Sequence, residues 1–376
     1  MFIETTDDFQ RQISIGKSIL SSRPEIYSRE VIEDIYSIIN SYTLPKKFTA
    51  EEVFYISLYN YWRYGFVTKE NFYFDLFHKR HSEKAEYMSN MNKLNYTRHL
   101  NAKEAEYLLA DKYETYKILG EYYGRELIRV SYESGHYQFR DFIQRHNEFV
   151  VKPVGLATSI GVKKCTAEEY DGDADIALRV LLKETEEIQS HYRWARGKGI
   201  IVEELINQGE ALACLHPASV NSIRITTVRT DDGIHFFYPV IRIGLGGNFL
   251  CSRSSGSIVA GINAKTGVVE TDGFTDRNEH YICHPDTGIR IKGFCVPKWD
   301  ELSRLAEKLA LKFEDLRYIG WDFAYTDAEK WIVIEGNENG GFVGQIPYKR
   351  GLLNEFTELI HWKSQKRYWW IGRYSE

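Results

Sequence analysis

Apolar residues recur at helical spacing through the first hundred or so positions and shift to strand-like runs beyond about residue 120. The segment Glu30–Ile39 sets Val31, Ile35, Ile38 and Ile39 on one helical face. Thr49-Ala-Glu-Glu52 has the form of a capping box, opening a helix whose apolar face uses Val53, Ile56, Leu58 and aromatic residues. With no alternating pattern and no glycine-rich turn, residues 1–104 predict helix alone. A further helix is expected from Asn101 through Leu108, Lys112, Tyr116 and Leu119, capped by Gly120.

Beyond it the texture changes. Residues Glu148 to Lys152 predict a buried strand entering a loop, Ala174–Ser190 a helix and Gly199–Ile206 a strand. Ser222–Arg229, His235–Gly244 and Gly256–Val269 read as β-rich. Asp300–Phe313 is amphipathic, with Asp300 as its expected N-cap. A hairpin, Trp321–Tyr325 and Trp331–Gly336, follows.

Composition narrows the function. At 376 residues the chain exceeds one ordinary domain, and 43% hydrophobic with 27% charged residues describes a globular protein. A net charge of −5 argues against a nucleic-acid binder, which needs a basic field. The five cysteines are odd in number and lack Cys-x-x-Cys spacing, so a reducing cytoplasm is the expected home. No run approaches the roughly 20 apolar residues of a membrane helix. The tail from His361 to Tyr374 mixes cations with tryptophans. That mixture suits peripheral contact with anionic lipid, although packing on the core is the commoner fate of such a segment. Aromatics are dense from Phe54 to Phe77, which also predicts core for most of them.

Three pieces carry chemistry. If a four-residue loop, Asp327 to Lys330, joins the hairpin, Thr326 faces Trp331 and Asp322 faces Glu335. Opposed carboxylates repel across a sheet. With Asn337 on the same face, a hard cation such as magnesium would resolve that conflict; a solvated acidic face is the plain alternative. The loop after Lys152 carries Gly155, Thr158, Ser159 and Gly161, which suits an anion-binding turn but matches neither a Walker loop nor a dinucleotide fingerprint. The run Ile200 to Ile206 ends in Glu203 and Glu204, a strand edge on which a base can stack; Glu210 follows within reach of a ribose. Arg224 and Arg242 fall on expected strands, where a buried guanidinium needs an anion. Asn221 either binds substrate or caps a turn. His280, Cys283 and His284 lack a second pair at ligand spacing and predict a plain loop.

The order of these pieces resembles the ATP-grasp superfamily, and most closely its sugar-transfer-associated family, over roughly residues 105–350. Ala110-Asp-Lys112, Phe149-Val-Val-Lys152-Pro, Val202-Glu-Glu-Leu-Ile206, Gly320-Trp-Asp322 and Ile334-Glu335-Gly-Asn337 carry the superfamily pattern. Ser219-Val-Asn221-Ser-Ile-Arg224 and Gly340 to Pro347 carry the narrower one. The resemblance implies an α+β ATP-grasp fold, two subdomains clasping ATP, behind a mainly helical N-terminal domain. The expected division is 1–104 helical, 105–205 with the phosphate loop and hinge strand, and 206–376 with the metal hairpin and tail.

It implies ATP and two Mg²⁺ ions as cofactors. Lys112, Lys152, Gly155, Ser159, Gly161, Glu203, Glu204, Ile206 and Glu210 would hold the nucleotide, and Asp322, Glu335 and Asn337 the metal. Arg224, Lys152 and Arg242 would be catalytic; Asn221 and Arg224 would touch substrate. The implied reaction is ADP-forming ligation of a carboxylate to an amine or hydroxyl through an acylphosphate, on a sugar-linked small molecule in polysaccharide assembly; the expected location is the cytoplasm, with peripheral contact at the inner face of the membrane as the alternative. A small-molecule kinase on the same scaffold and a nucleotide-binding module without turnover are the alternatives. The D-alanine ligases of this superfamily place an arginine two residues before the metal aspartate; here Gly320 stands there, which shifts that role toward Arg224. Asp322→Asn or Glu335→Gln is expected to abolish turnover with little loss of folding.

Overall fold

The computed structural model describes residues 4–156, 160–193, 195–247 and 256–364. Three helices open the chain: α1 (Phe9–Ser22), α2 (Arg29–Asn40) and α3 (Ala50–Tyr64). Each starts on a side-chain cap, Asp8, Ser28 and Thr49 in turn. The Thr49–Glu52 box forms with both of its reciprocal bonds, and Gly65 ends α3 in a left-handed conformation at φ +82°. Gly16 lets α1 approach α3 closely, since a Cβ there would sit 2.3 Å from the Tyr55 carbonyl oxygen.

The aromatic run folds inward as expected: Phe54, Tyr59, Trp62, Phe66, Phe72 and Phe77 are buried together. This core continues into the rest of the chain through Val240, Val259, Val343 and Ile346. The helical region is thus a wall of the main body. In α2 only Ile39 is buried; Val31, Ile35 and Ile38 are half-exposed and line a cleft.

The expected helix from Asn101 to Gly120 is broken in two. A single turn, Tyr107–Ala110, stops at Asp111, whose side chain caps a second helix, Lys112–Tyr123. Gly120 lies inside that helix and Gly124 is the cap. Asp111 competes for its own backbone, a signal that apolar periodicity passes over.

Two antiparallel sheets follow. The first contains β1 (Leu127–Val130), β2 (Glu148–Pro153), β3 (Lys163–Thr166) and β4 (Ile200–Glu204), in the order β1-β4-β2-β3. The helices His136–Arg145 and Ala174–Gln189 cover it, sharing a core with Val130, Phe149, Val151 and Val202. The second contains β5 (Ser222–Thr230), β6 (Gly233–Phe236), β7 (Val240–Ile243), β8 (Ile258–Gly261), β9 (Gly273–Phe274), β10 (His280–Tyr281), β11 (Tyr318–Tyr325) and β12 (Trp331–Asn337). Its order is β10-β9-β8-β7-β5-β11-β12, with β6 on β5. The expected strand His235–Gly244 is therefore two. The helix Trp299–Leu311 packs Leu302, Ala306 and Leu309 beneath this sheet; it starts from Lys298 in a left-handed conformation, so Asp300 sits in its first turn rather than at its cap.

The hairpin register contains two departures that cancel. Tyr325, not Thr326, faces Trp331, and Phe323 faces Val333. A bulge then intervenes, leaving Ile334 as the extra residue, and Asp322 pairs with Glu335 after all.

Candidate active site

The two sheets and the helical wall enclose one cleft of about 1640 Å³. Lys112, Lys152, Glu203, Glu204, Ile206, Arg224, Arg242, Asp322, Glu335 and Asn337 all line it, although they span more than 200 positions of sequence. β2 delivers Lys152 and its neighbour β4 delivers Glu203. β5 and β11 pair so that Arg224 lies directly opposite Asp322.

The charges are already paired. Arg224 grips Asp322 with Nε and Nη2, both at 2.6 Å, and Arg242 Nη1 adds a third bond at 3.1 Å. Lys112 Nζ donates to Glu335 at 2.5 Å. Glu203 takes Lys152 at 2.7 Å and Arg125 at 2.8 Å. Within these pairs five cations meet three carboxylates, a surplus of two positive charges. An anion is the natural occupant of such a site.

Protonation follows the same logic. Burial opposes ionisation of Glu203, but Lys152 and Arg125 more than offset it and hold its carboxyl down at about 2. Burial also opposes ionisation of Glu335, and Lys112 together with Lys152 and Arg224 brings it well below the usual carboxylate range. The two lysines differ. Burial pushes both ammonium groups down; Glu335 more than reverses this for Lys112, while Lys152, repelled by Arg125 and Lys112, stays below its ordinary value. Arg224 loses to burial and gains more from Asp322, ending above its ordinary value.

Other expected residues are placed differently. Asn221 is wholly buried; its NH₂ donates to the Leu212 and His216 carbonyls at 2.8 and 2.9 Å, and its oxygen accepts from the Gly244 N–H at 3.0 Å. It pins a turn and is not among the residues that line the cleft, where a substrate contact was expected of it. Glu210 opens the short helix Glu210–Ala213 in an exposed position and does not line the cleft. Gly155 and Gly161 adopt φ of +81° and +70°, as the expected turn requires, while Leu156, Ile160 and Val162 from the same loop form part of the cleft wall. Thr158 and Ser159 lie outside the described residues.

His284 bonds the Gly244 carbonyl and His280 bonds Asp272, the plain structural outcome for both. Trp362 stacks on His99 and meets Tyr96 edge-on, so the described start of the tail packs on the protein; residues 365–376 lie outside the description. Among the described residues no helix is long and apolar enough to cross a membrane.

Arg125 is the residue sequence reading missed. Besides Glu203, it donates to the carbonyls of Val333 at 2.7 Å and Ile334 at 3.3 Å. Bonded to Glu203 on β4 and to these two carbonyls on β12, Arg125 ties the first sheet to the second. No local motif announces this role.

Magnesium is the metal this donor set fits. Asn337 directs its NH₂ to the Glu335 carboxylate at 3.3 Å and to the Gly320 carbonyl at 3.4 Å, so its amide group sits beside Glu335. Among the described residues no group of three His, Cys, Asp or Glu side chains builds a metal cage by itself. Magnesium is typically held by one or two carboxylates with substrate phosphates completing the shell.

No curated protein matches the sequence. Among solved structures, the ATP-grasp ligase PsnB, solved with a minimal precursor, is 12% identical over 72% of this chain and 68% of its own, with a TM-score of 0.42. The D-alanyl-alanine synthetase A of Vibrio cholerae O1 biovar eltor str. N16961 is 12% identical over 69% of this chain and 62% of its own, with a TM-score of 0.40. The VanG D-Ala:D-Ser ligase of Enterococcus faecalis is 13% identical over 69% and 64%, with a TM-score of 0.42. The chain spans less than two thirds of the last two proteins. The model of one protein family matches residues 91–360, well over half of the sequence. This chain belongs to that family, the sugar-transfer associated ATP-grasp proteins.

Proposed function

We propose that this ATP-grasp protein is an ADP-forming ligase that joins a carboxylate to an amine or hydroxyl through an acylphosphate, in the assembly of a surface polysaccharide or sugar conjugate. The observation that carries the reading is the set of cation–carboxylate pairs along one cleft, Lys112–Glu335, Lys152–Glu203 and Arg224/Arg242–Asp322. Each pair is arranged for exchange. A bound polyphosphate would take over the cations, and Asp322 and Glu335, with Asn337, would then be free to hold Mg²⁺. The four-stranded sheet, within residues 105–205, and the larger sheet, within 206–376, are the two halves proposed to clasp the nucleotide.

Lys112 and Lys152 neutralise the α and β phosphates. Arg224 and Arg242 orient the transferring phosphoryl group and offset its charge. Magnesium, when bound with ATP, neutralises charge at the β and γ phosphates. A substrate carboxylate oxygen attacks the γ phosphorus, and the bond to the β-phosphate oxygen breaks to release ADP. The amine or hydroxyl then attacks the acyl carbon; phosphate leaves and the nucleophile sheds its proton. The departing phosphate can carry that proton away, so Lys152 stays a cation on the nucleotide, paired in its absence with Glu203 at 2.7 Å. Gly320 supports placing Arg224 at the phosphoryl group: a Cβ at Gly320 would lie 2.7 Å from Arg224 Nη1, so the guanidinium fills the space over this glycine.

Hydroxylamine trapping tests the reading. With ATP, Mg²⁺ and pooled uronic and amino acids, the ligase releases ADP and forms hydroxamate. A stable phosphorylated product without hydroxamate would instead make it a kinase. ATP binding with no ADP across the panel would make it a binding module.

A further inference from the structure

We infer that the helical wall of the cleft is an acceptor subsite for a cationic amine carried on a hydroxylated ring, an amino sugar in chemical class. The inference rests on the ligase reading above and adds to it the nature of the nucleophile.

The cleft is too large for one small ligand. Single-ligand pockets run to about 300–1,000 Å³, and this one reaches about 1640 Å³. Its surplus extends away from the paired charges and along α2 and α3, through residues that precede the family-matched stretch, which begins at 91.

A polar group on this wall lacks a partner. Ser57 is 3% exposed, and its hydroxyl makes no hydrogen bond among the described residues. A helical serine ordinarily bonds back to the carbonyl four residues earlier; Ser57 does not. Buried polar groups without partners are uncommon, and each one calls for an explanation. Ser57 lines the cleft one helical turn from Tyr61 on α3. Across from them is Tyr27, whose hydroxyl accepts from the Trp62 indole at 2.7 Å. The half-buried Tyr61 offers aromatic surface to a sugar beside the buried Tyr27, and Ser57 offers a hydrogen bond to one of its hydroxyls.

The charge of this wall differs from that of the phosphate end. Glu30 and Asp34 line it together with Glu25, which Arg23 meets at 3.6 Å, and with Lys69 and Lys93. Glu30 and Asp34 are four residues apart on α2 and share one helical face. The opposite end carries Lys112, Lys152, Arg224 and Arg242. An anionic donor is drawn to the cationic end and a cationic acceptor to the acidic one, which sets nucleophile and electrophile in order along a single cleft. The amine must lose its proton before it attacks, so its positive charge serves recognition and not the chemical step.

The test uses the full chain and direct binding, followed by saturation-transfer NMR, of glucosamine and its N-acetyl counterpart. Glucosamine is expected to bind at least tenfold more tightly than N-acetylglucosamine. Asp34→Asn, an exposed change, and Ser57→Ala should each weaken glucosamine about tenfold. Ser57→Ala should leave the unfolding midpoint unchanged or raise it, because it removes a buried hydroxyl with no partner. Equal binding of the two sugars, no binding of either, unaltered binding by Ser57→Ala, or a lowered midpoint for that variant would overturn the subsite. The hydroxylamine trap on the unaltered protein separates this from the parent reading. Hydroxamate without discrimination between the sugars removes the subsite alone. Discrimination without hydroxamate removes the ligase reading alone.

Discussion

Asp322 receives three charged hydrogen bonds and is 3% exposed, so it is more than a surface carboxylate awaiting a metal. Its loss strands two guanidinium groups. Breaking a buried pair by removing one partner costs about 3–5 kcal/mol. Asp322→Asn should therefore lose turnover and also about 3 kcal/mol of stability, which revises the expectation of little effect on folding. Glu335 is a milder case, since its side chain is 26% exposed and Lys112 can reach water. Glu335→Gln should lose turnover at a cost of about 1 kcal/mol. Denaturant unfolding of the two variants checks this; equal midpoints would show that the Asp322 cluster contributes no special stability.

At the scale of elements, the site depends on two strand pairings meeting at one residue. β5 sets Arg224 against Asp322, and β12 sets Glu335 against the same residue. The space these side chains need comes from glycine: a Cβ added to Gly340, beyond β12, would lie 3.2 Å from both the Gly320 Cα on β11 and Arg224 Nη1. Gly320→Ala should displace the guanidinium, since a Cβ would fall 2.7 Å from Nη1. More than a tenfold loss in kcat is expected with KM for ATP little changed, measured by ADP release; a wild-type kcat would refute the assignment of Arg224. The Asp322–Glu335 opposition expected from the sequence is present, but it rests on a longer loop and a bulge that offset one another. The bulge at Ile334, whose carbonyl takes a hydrogen bond from Arg125 some two hundred positions away, was not legible.

At the scale of the molecule, the helical N-terminal region is bound into the body. Val240, Val259, Val343 and Ile346 share its core, Gln345 exchanges hydrogen bonds with the Met88 backbone at 2.7 and 3.0 Å, and Lys93 holds the Asn339 carbonyl at 3.0 Å. A chain reduced to the family-matched stretch, residues 91–360, would expose that apolar surface. It should aggregate or fail to give the cooperative unfolding of the full chain, as judged by circular dichroism and light scattering; a soluble, cooperatively folded fragment would refute this.

The sequence by itself determined that the first hundred residues are helical and that the segments carrying Lys152, Glu203, Asp322 and Glu335 are strands, because periodicity is a local property; where the helix before residue 124 breaks it did not determine. The resemblance placed Lys112, Lys152, Arg224, Asp322 and Glu335 in one site. It did not say which carboxylate answers which cation, that Asn221 pins a turn, or that Arg125 joins the two sheets. Nor did it show that α2 turns Val31, Ile35 and Ile38 toward a cleft. Those matters were decided by tertiary structure, since a charge, a buried hydroxyl or a half-exposed apolar face is defined by what the rest of the chain brings against it.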